Sequence, residues 1–190
     1  GLPQVGNLYI EEQDSSRTAR TASAPVSIDL AALNVDIGAS GSCQVARPTI
    51  NVNLGTVNKA EFKGKSTAAG VAQTFSIPVS CTTPTDIRIG FFGVTADPGV
   101  SDTLALEKVD GAASGVGIEL SYGNNPAPAP SAGTPVKINE SSNLPVLKHI
   151  AGGNAAAAES INFTARYVQT GDVVTPGRAN GLATFALEYN

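Results

Sequence analysis

The feature that most constrains this chain is an alternating apolar pattern within its last fourteen residues, 177–190. Every second position near the end is apolar, and the positions between are Thr, Ala and Glu; the apolar residues are Ala183, Phe185, Leu187 and Tyr189. A period of two residues is typical of a β-strand with one buried face. No later strand follows in the sequence to cover this edge, and an uncovered apolar edge promotes aggregation. We therefore expect a strand from another chain to pair with it.

Composition limits the fold and the partners. The 190 residues, with 20 Gly and 12 Pro, are enough for one well-buried core and favour strands and turns over helices. The net charge is −4 and there is no Lys/Arg cluster, which argues against nucleic acid and anionic membranes as partners. Since the chain contains no Met, we expect that a signal peptide or a larger N-terminal region has been removed.

Short alternating runs separated by turn residues fill most of the chain. The centres of the clearest runs are Ile50/Val52, Phe75/Ile77/Val79, Ile87/Ile89/Phe91, Val116/Ile118/Leu120 and Ile161/Phe163/Ala165. A further short strand at Val5, Leu8 and Ile10 is expected to belong to a region upstream. Strands at this spacing predict an all-β sandwich.

The two cysteines, Cys43 and Cys81, suggest a disulfide made in an oxidising compartment. The alternative is two unrelated buried thiols. Closing this loop stabilises the fold by about 4 kcal/mol in the chain-entropy model.

A search for catalytic chemistry finds little. His149 is the only histidine, so the sequence offers no His cluster for a metal, and we expect His149 to be an ordinary surface or strand-end residue. Gly115-Val-Gly117 opens a strand and not a helix, which argues against a phosphate site. We therefore predict a non-enzymatic protein without cofactor or metal.

Several stretches, in order along the chain, resemble the chaperone–usher pilus (fimbrial) subunits over residues 43–190. They are Cys43 … Val52-Asn-Leu-Gly-Thr-Val57 … Phe75-Ser-Ile-Pro-Val-Ser-Cys81, Ala113-Ser-Gly-Val-Gly-Ile118-Glu-Leu, and Phe163-Thr-Ala-Arg-Tyr167 with the terminal Phe185-Ala-Leu-Glu-Tyr189-Asn190. The family also has a glycine fourteenth from the end and a penultimate aromatic residue, which Gly177 and Tyr189 match.

The resemblance implies an immunoglobulin-like β-sandwich that lacks its seventh strand and is completed by a donated strand. A periplasmic chaperone fills the resulting groove first, and at the outer-membrane usher a neighbouring subunit's strand replaces it. The implied groove residues are Gly177, Ala183, Phe185, Leu187 and Tyr189, with the Asn190 carboxylate anchored to the chaperone. The family also implies a Cys43–Cys81 disulfide and secretion through the periplasm to a cell-surface fimbrium.

The N-terminal region differs from that of a shaft subunit, because more than forty residues precede Cys43. It resembles a tip adhesin, in which residues 1–24 would be the tail of a receptor-binding domain plus linker, residues 25–190 the pilin domain, and attachment to a host receptor the function. The alternative is a minor shaft or terminator subunit that donates one of two alternating runs, formed by Val26, Ile28, Leu30, Leu33, Val35 and Ile37. A carbohydrate-binding or hydrolytic sandwich is disfavoured, since the chain has four Tyr and no Trp for stacking on sugars.

Overall fold

The computed structural model describes residues 4–11, 43–47, 49–96, 102–153 and 157–189. The expected domain boundary after residue 24, the alternating runs between 26 and 37, and Asn190 lie outside these ranges. Within the described residues, no helix is long and apolar enough to cross a membrane.

The described residues form ten strands. They are β1 (Gln4–Glu11), β2 (Cys43–Val45), β3 (Thr49–Asn53), β4 (Ala68–Cys81), β5 (Thr85–Phe92), β6 (Thr103–Ala105), β7 (Val116–Tyr122), β8 (Lys148–Ile150), β9 (Glu159–Gln169) and β10 (Gly181–Tyr189). The predicted all-β class is confirmed.

The strands form two five-stranded sheets. The first sheet has the order β3-β1-β10-β5-β8, and the second has the order β2-β4-β9-β7-β6. β2 and β3 are close in sequence but lie in different sheets, so this part of the chain crosses from one layer to the other. The sandwich predicted from the strand spacing is confirmed.

Aromatic side chains from both sheets meet in the core. Within the second sheet, the ring centroid of Phe163 lies 5.4 Å from that of Phe75. Across the sandwich, it lies 5.0 Å from the ring centroid of Phe91 in the first sheet. Phe91 in turn lies 6.3 Å from Phe185 on β10. The inward positions of the alternating runs are thus the positions that join the two layers.

The cysteine pair forms a disulfide across the second sheet. Cys43 of β2 lies opposite Cys81 at the end of β4, and the two sulfurs are bonded. Both residues are 2% exposed. The predicted disulfide is confirmed, and it ties β2 to β4, the longest of the strands that the structure describes.

The strand at residues 4–11 is part of this sandwich. β1 pairs antiparallel with β10 and parallel with β3, so it lies between them. From the sequence we expected the β10 edge to be free for another chain; in the structure this chain's own β1 occupies it. The physical reason is that the unpaired backbone groups and apolar side chains of such an edge are stabilised by any strand with a suitable pattern. A strand of the same chain can serve if the connecting segment is long enough for it to reach the edge. The parallel pair is β1 and β3, and the 37 residues between them (12–48) exceed the dozen or so that a parallel crossover needs.

Candidate strand-binding groove

The candidate site is the groove between β3 and β10 in which β1 lies. Its walls are buried apolar side chains that belong to the main core: Ile50 and Val52 from β3, and Ala183, Phe185 and Leu187 from β10. Leu8 of β1 is 0% exposed and belongs to the same core. An inserted strand therefore contributes to the hydrophobic core as well as to the sheet.

The residues of β10 face the groove because of their alternation. Ala183, Phe185 and Leu187 are at most 1% exposed, whereas the residues between them are half-buried on the outer face. On that outer face Glu188 lies opposite Arg88 of β5, an arrangement that suits opposite charges on neighbouring strands. Three of the four residues predicted to face the groove, Ala183, Phe185 and Leu187, are therefore brought together on one wall of it.

Backbone pairing runs along both sides of β10. Seven residue pairs join β1 to β10, from Gln4 opposite Leu187 to Ile10 opposite Gly181, and β5 pairs with the other side. An unpaired buried N–H or C=O group costs about 1–3 kcal/mol. Without a strand in the groove, one edge of β10 would lose these partners, so the groove needs an occupant.

The central pairs combine a large residue with a small one. Leu8 lies opposite Ala183, and Gly6 lies opposite Phe185. Alternating large and small residues across facing positions allows two strands to fill a narrow space without a clash. The same alternation favours one register, since a shift by one residue would move Leu8 to the other face.

Two loops hold the start of β10. The segments 107–115 and 170–180, which we call the loop clamp, lie side by side and exchange backbone hydrogen bonds. These include Arg178 N to Gly111 O at 2.8 Å, Ala113 N to Arg178 O at 2.8 Å, Glu107 N to Asn180 O at 2.7 Å, and Ser114 and Thr175 bonded to each other at 3.1 Å. The loop clamp thus fixes the chain immediately before β10, independently of β1.

Gly177 belongs to the loop clamp and not to the groove wall. A Cβ atom at this position would meet the Gly111 carbonyl oxygen and lie 2.5 Å from the Ala113 nitrogen. Only a residue without a side chain allows this approach of two backbones. The resemblance had placed Gly177 among the groove residues, whereas its contacts here are with the facing loop.

Tyr167 is a residue whose role sequence reasoning missed. Its hydroxyl donates a 2.7 Å hydrogen bond to the carbonyl oxygen of Ala179, and both residues are buried. The available signal was a tyrosine on the same inward phase as Ile161, Phe163 and Ala165, because a buried hydroxyl usually needs a partner. This bond joins β9 to the last turn before β10.

The other predicted residues are placed as follows. Tyr189 pairs through its backbone with Ile87 of β5. His149 is exposed on β8, with its Nδ1 atom 2.8 Å from an Asp86 carboxylate oxygen. The ranges that the structure describes contain no group of three or more His, Cys, Asp or Glu residues arranged to hold a metal ion.

Comparison with known proteins agrees with this architecture. The family model described as "Fimbrial protein" matches residues 32–190. The type-1 fimbrial protein subunit of Serratia marcescens is 32% identical over 155 residues, covering 78% of this chain and 79% of that protein. The F17c-G fimbrial adhesin of Escherichia coli is 26% identical over 150 residues, covering 78% of this chain. The chain spans only 41% of the length of that adhesin.

A solved structure has the same fold. A subunit in the structure of a chaperone–usher pilus superposes with a TM-score of 0.54 at 15% identity, covering 94% of this chain and 98% of that one. The chain is therefore a member of the fimbrial protein family, a secreted subunit of a cell-surface pilus with the fold found in a chaperone–usher pilus.

Proposed function

We propose that the chain assembles into its pilus by donor-strand complementation, with the groove between β3 and β10 as the acceptor. The observation that carries this proposal is the position of β1, which pairs on both sides and buries Leu8 completely. A strand from a neighbouring subunit could make the same backbone pairs and fill the same core position. Before assembly, a periplasmic chaperone would occupy the groove and the usher would receive the complex.

We propose further that residues 4–11 are the donor strand of this chain. Support comes from their antiparallel pairing with β10 and from the large–small pairs at Leu8 and Gly6. A subunit that has both an acceptor groove and a donor strand can extend a pilus. This role corresponds to the shaft or minor subunit, with the donor at 4–11 in place of the run predicted between 26 and 37.

A second candidate is the pilin domain of a tip adhesin. The similarity to the F17c-G fimbrial adhesin over 150 residues favours it. In that role the groove would still accept a strand, and attachment to a host receptor would depend on another domain. The groove is common to both candidates, which differ in whether residues 4–11 donate a strand and in whether another domain binds a receptor.

The test uses Leu8→Asp, with Asn7→Asp as the matched control. Asp at position 8 places a carboxylate in the buried position, whereas position 7 lies on the opposite phase of the strand. We expect Leu8→Asp to lose pilus extension and to bind a synthetic peptide of residues 1–11, while Asn7→Asp assembles like the parent chain. Electron microscopy of pili and peptide binding by size exclusion are the measurements.

The outcomes separate the candidates. If Leu8→Asp forms full-length pili and binds no peptide, donor-strand complementation through this groove is wrong. If its pili are normal but the purified protein binds the peptide, the groove accepts a strand while residues 4–11 do not donate one. That second result supports the tip-adhesin candidate.

A further inference from the structure

One peptide bond joins the loop clamp to β10. It links Asn180, the last residue of the clamp, to Gly181, the first residue of the strand. Asn180 is the only asparagine in the sequence that is followed by glycine. Because glycine has no Cβ, the nitrogen of this peptide bond is less hindered than that of any other residue. The side chain of Asn180 can therefore react with the backbone that follows it.

An asparagine–glycine pair can lose ammonia in water without an enzyme. The Gly181 nitrogen gives up its proton and bonds to Cγ of Asn180, and the side-chain Nδ2 leaves as ammonia. The product is a cyclic succinimide, which water opens at one of its carbonyl carbons. Opening at one carbon gives aspartate, and opening at the other gives isoaspartate, whose backbone runs through the former side chain. Water is the only co-reactant, and no atom is oxidised or reduced.

The loop clamp restrains this reaction from one side. To close the ring, the peptide group between Asn180 and Gly181 must rotate so that its nitrogen approaches Cγ. The carbonyl oxygen of the same peptide group accepts a 2.7 Å hydrogen bond from the N–H of Glu107. One residue earlier, the Ala179 carbonyl accepts the Tyr167 hydroxyl at 2.7 Å. Rotation would break the first of these bonds, and Asn180 is only 8% exposed, so little space is open to it.

The strand in the groove restrains the reaction from the other side. Gly181 lies opposite Ile10 in the antiparallel pairing of β1 with β10, and the ladder continues to Gln4 opposite Leu187. Release of β1 would remove this support from Gly181. The hydrogen bond from Glu107 would remain, because it belongs to the loop clamp. The peptide group should therefore rotate more easily when the groove is empty.

Either product would disturb the groove wall that follows. An aspartate at position 180 would place a carboxylate in a nearly closed position, and a buried charge is costly. An isoaspartate would lengthen the backbone between the loop clamp and β10 by one bond. Because the clamp fixes the chain just before β10, that insertion would shift Ala183 and Phe185 relative to the rest of the core.

We propose that Asn180 and Gly181 form a spontaneous deamidation site that a strand in the groove protects. A chain whose groove is filled keeps Asn180, whereas a chain whose groove stays empty is converted with time and then accepts a strand poorly. The reaction is a slow, irreversible mark of subunits that have not been completed. The inference goes beyond donor-strand assembly, because protection requires only that the groove be occupied, by β1 of the same chain or by another strand.

The first experiment measures deamidation at Asn180 in the full chain, at mildly alkaline pH and at a temperature where all variants are folded. The variants are Leu8→Asp and Leu8→Ala, which weaken β1 to different degrees. Peptide mapping by mass spectrometry measures aspartate and isoaspartate at position 180. We expect the rate to rise several-fold in Leu8→Asp and by less in Leu8→Ala, and all chains to react equally fast in concentrated urea. Added peptide of residues 1–11 should return both variants to the parent rate.

Two controls separate release of β1 from a general loss of stability. Asn7→Asp changes the same strand on the opposite phase from Leu8 and should react like the parent. Ile118→Ala opens a cavity on the second sheet and should also react like the parent. Equal rates in the parent and both Leu8 variants would overturn the proposal, and so would an Ile118→Ala rate as high as that of Leu8→Ala.

The second experiment tests the consequence for the groove and separates it from the proposed function. The Leu8→Asp chain, fresh or aged to partial deamidation, is refolded from urea with labelled peptide of residues 1–11. We expect the aged chain to retain less peptide, in proportion to its content of aspartate and isoaspartate at position 180. Leu8→Asp combined with Asn180→Gln should lose nothing on ageing, since ring closure from the longer side chain is much slower.

The outcomes of this experiment point to different claims. Full retention of the peptide by the aged chain would overturn the effect of deamidation on the groove. Failure of the fresh chain to bind the peptide would instead overturn donor-strand complementation, and the deamidation rates of the first experiment would be unaffected.

Discussion

At the scale of single residues, the start of β10 depends on two contacts that involve no groove residue. Gly177 lets the backbones of the loop clamp approach, and the Tyr167 hydroxyl holds the Ala179 carbonyl at 2.7 Å. Both act on the residues just before Gly181. The position of the groove wall is therefore set from outside the groove.

Replacing Gly177 by Ala should destabilise the fold by about 1–3 kcal/mol, since the new methyl group would force two backbone segments apart. The matched control is Gly171→Ala in the same loop, where the nearest atom would be 3.1 Å from the added carbon. We expect a smaller loss there. Urea denaturation measures both, and equal losses would contradict the role given to the Gly177 approach.

Tyr122 makes the free energy of unfolding depend on pH in the alkaline range. Burial, and secondarily the charge of Glu140, raise the pKa of Tyr122 above its ordinary value of 10.0. The folded state therefore favours the neutral phenol, and this contribution is complete below pH 10 and is lost as the pH rises above it. Tyr122→Phe should flatten the fall of the unfolding free energy above that pH. Parallel curves for the two proteins would show that Tyr122 is not responsible.

At the scale of elements, the pairing of β1 with β10 combines side-chain size with register. Leu8 fits opposite Ala183 because one residue is large and the other small. The element β1 supplies both a core side chain and the missing backbone partners of β10. The stability of β1 in the groove should therefore depend on the combined size of Leu8 and Ala183 more than on the size of either residue alone.

Ala183→Leu should destabilise the pairing of β1 with β10 by about 1–3 kcal/mol through overpacking. Adding Leu8→Ala should restore part of this free energy, because the smaller side chain makes room for the larger one. Hydrogen exchange of the β1 amides reports the strand's release directly. The control is Ala186→Leu, on the outer phase of β10, where β1 exchange should change little. Additive effects of the two inward substitutions would contradict direct packing of this pair.

At the scale of the whole molecule, the disulfide restrains the part of the chain that passes from the second sheet (β2) to the first sheet (β3). Cys43 and Cys81 are 38 residues apart and join β2 to the end of β4, while β3 continues into the sheet that contains the groove. The bond therefore restrains the strand that forms one wall of the groove. Its effect should extend beyond the second sheet.

Replacing both cysteines by Ala should lower the unfolding free energy by about 2–5 kcal/mol. Because β3 follows β2 so closely, we also expect faster hydrogen exchange in β3 than in β7, which lies in the second sheet away from β2. Urea denaturation and exchange on the reduced parent chain provide the comparison. Uniform acceleration across both strands would show only a global loss of stability.

Much of the fold could be predicted from local pattern. The runs around Phe75, Ile89, Ile118 and Phe163 all became strands with the predicted inward phase, because a period of two specifies which face is buried. Ala183, Phe185 and Leu187 were placed on the buried face for the same reason. The loop clamp could not be predicted, since its hydrogen bonds join irregular segments that carry no periodic signal.

By itself the sequence determined that this chain forms strands, which faces of them are apolar, and that the final strand needs a partner. Only the tertiary structure decided that residues 4–11 supply that partner and that Gly177 serves the loop clamp. The physical reason is the distance along the sequence over which each signal acts. Side-chain alternation is local and can be read in a few residues, whereas strand pairing between Leu8 and Ala183 depends on which distant segments the closed core brings together.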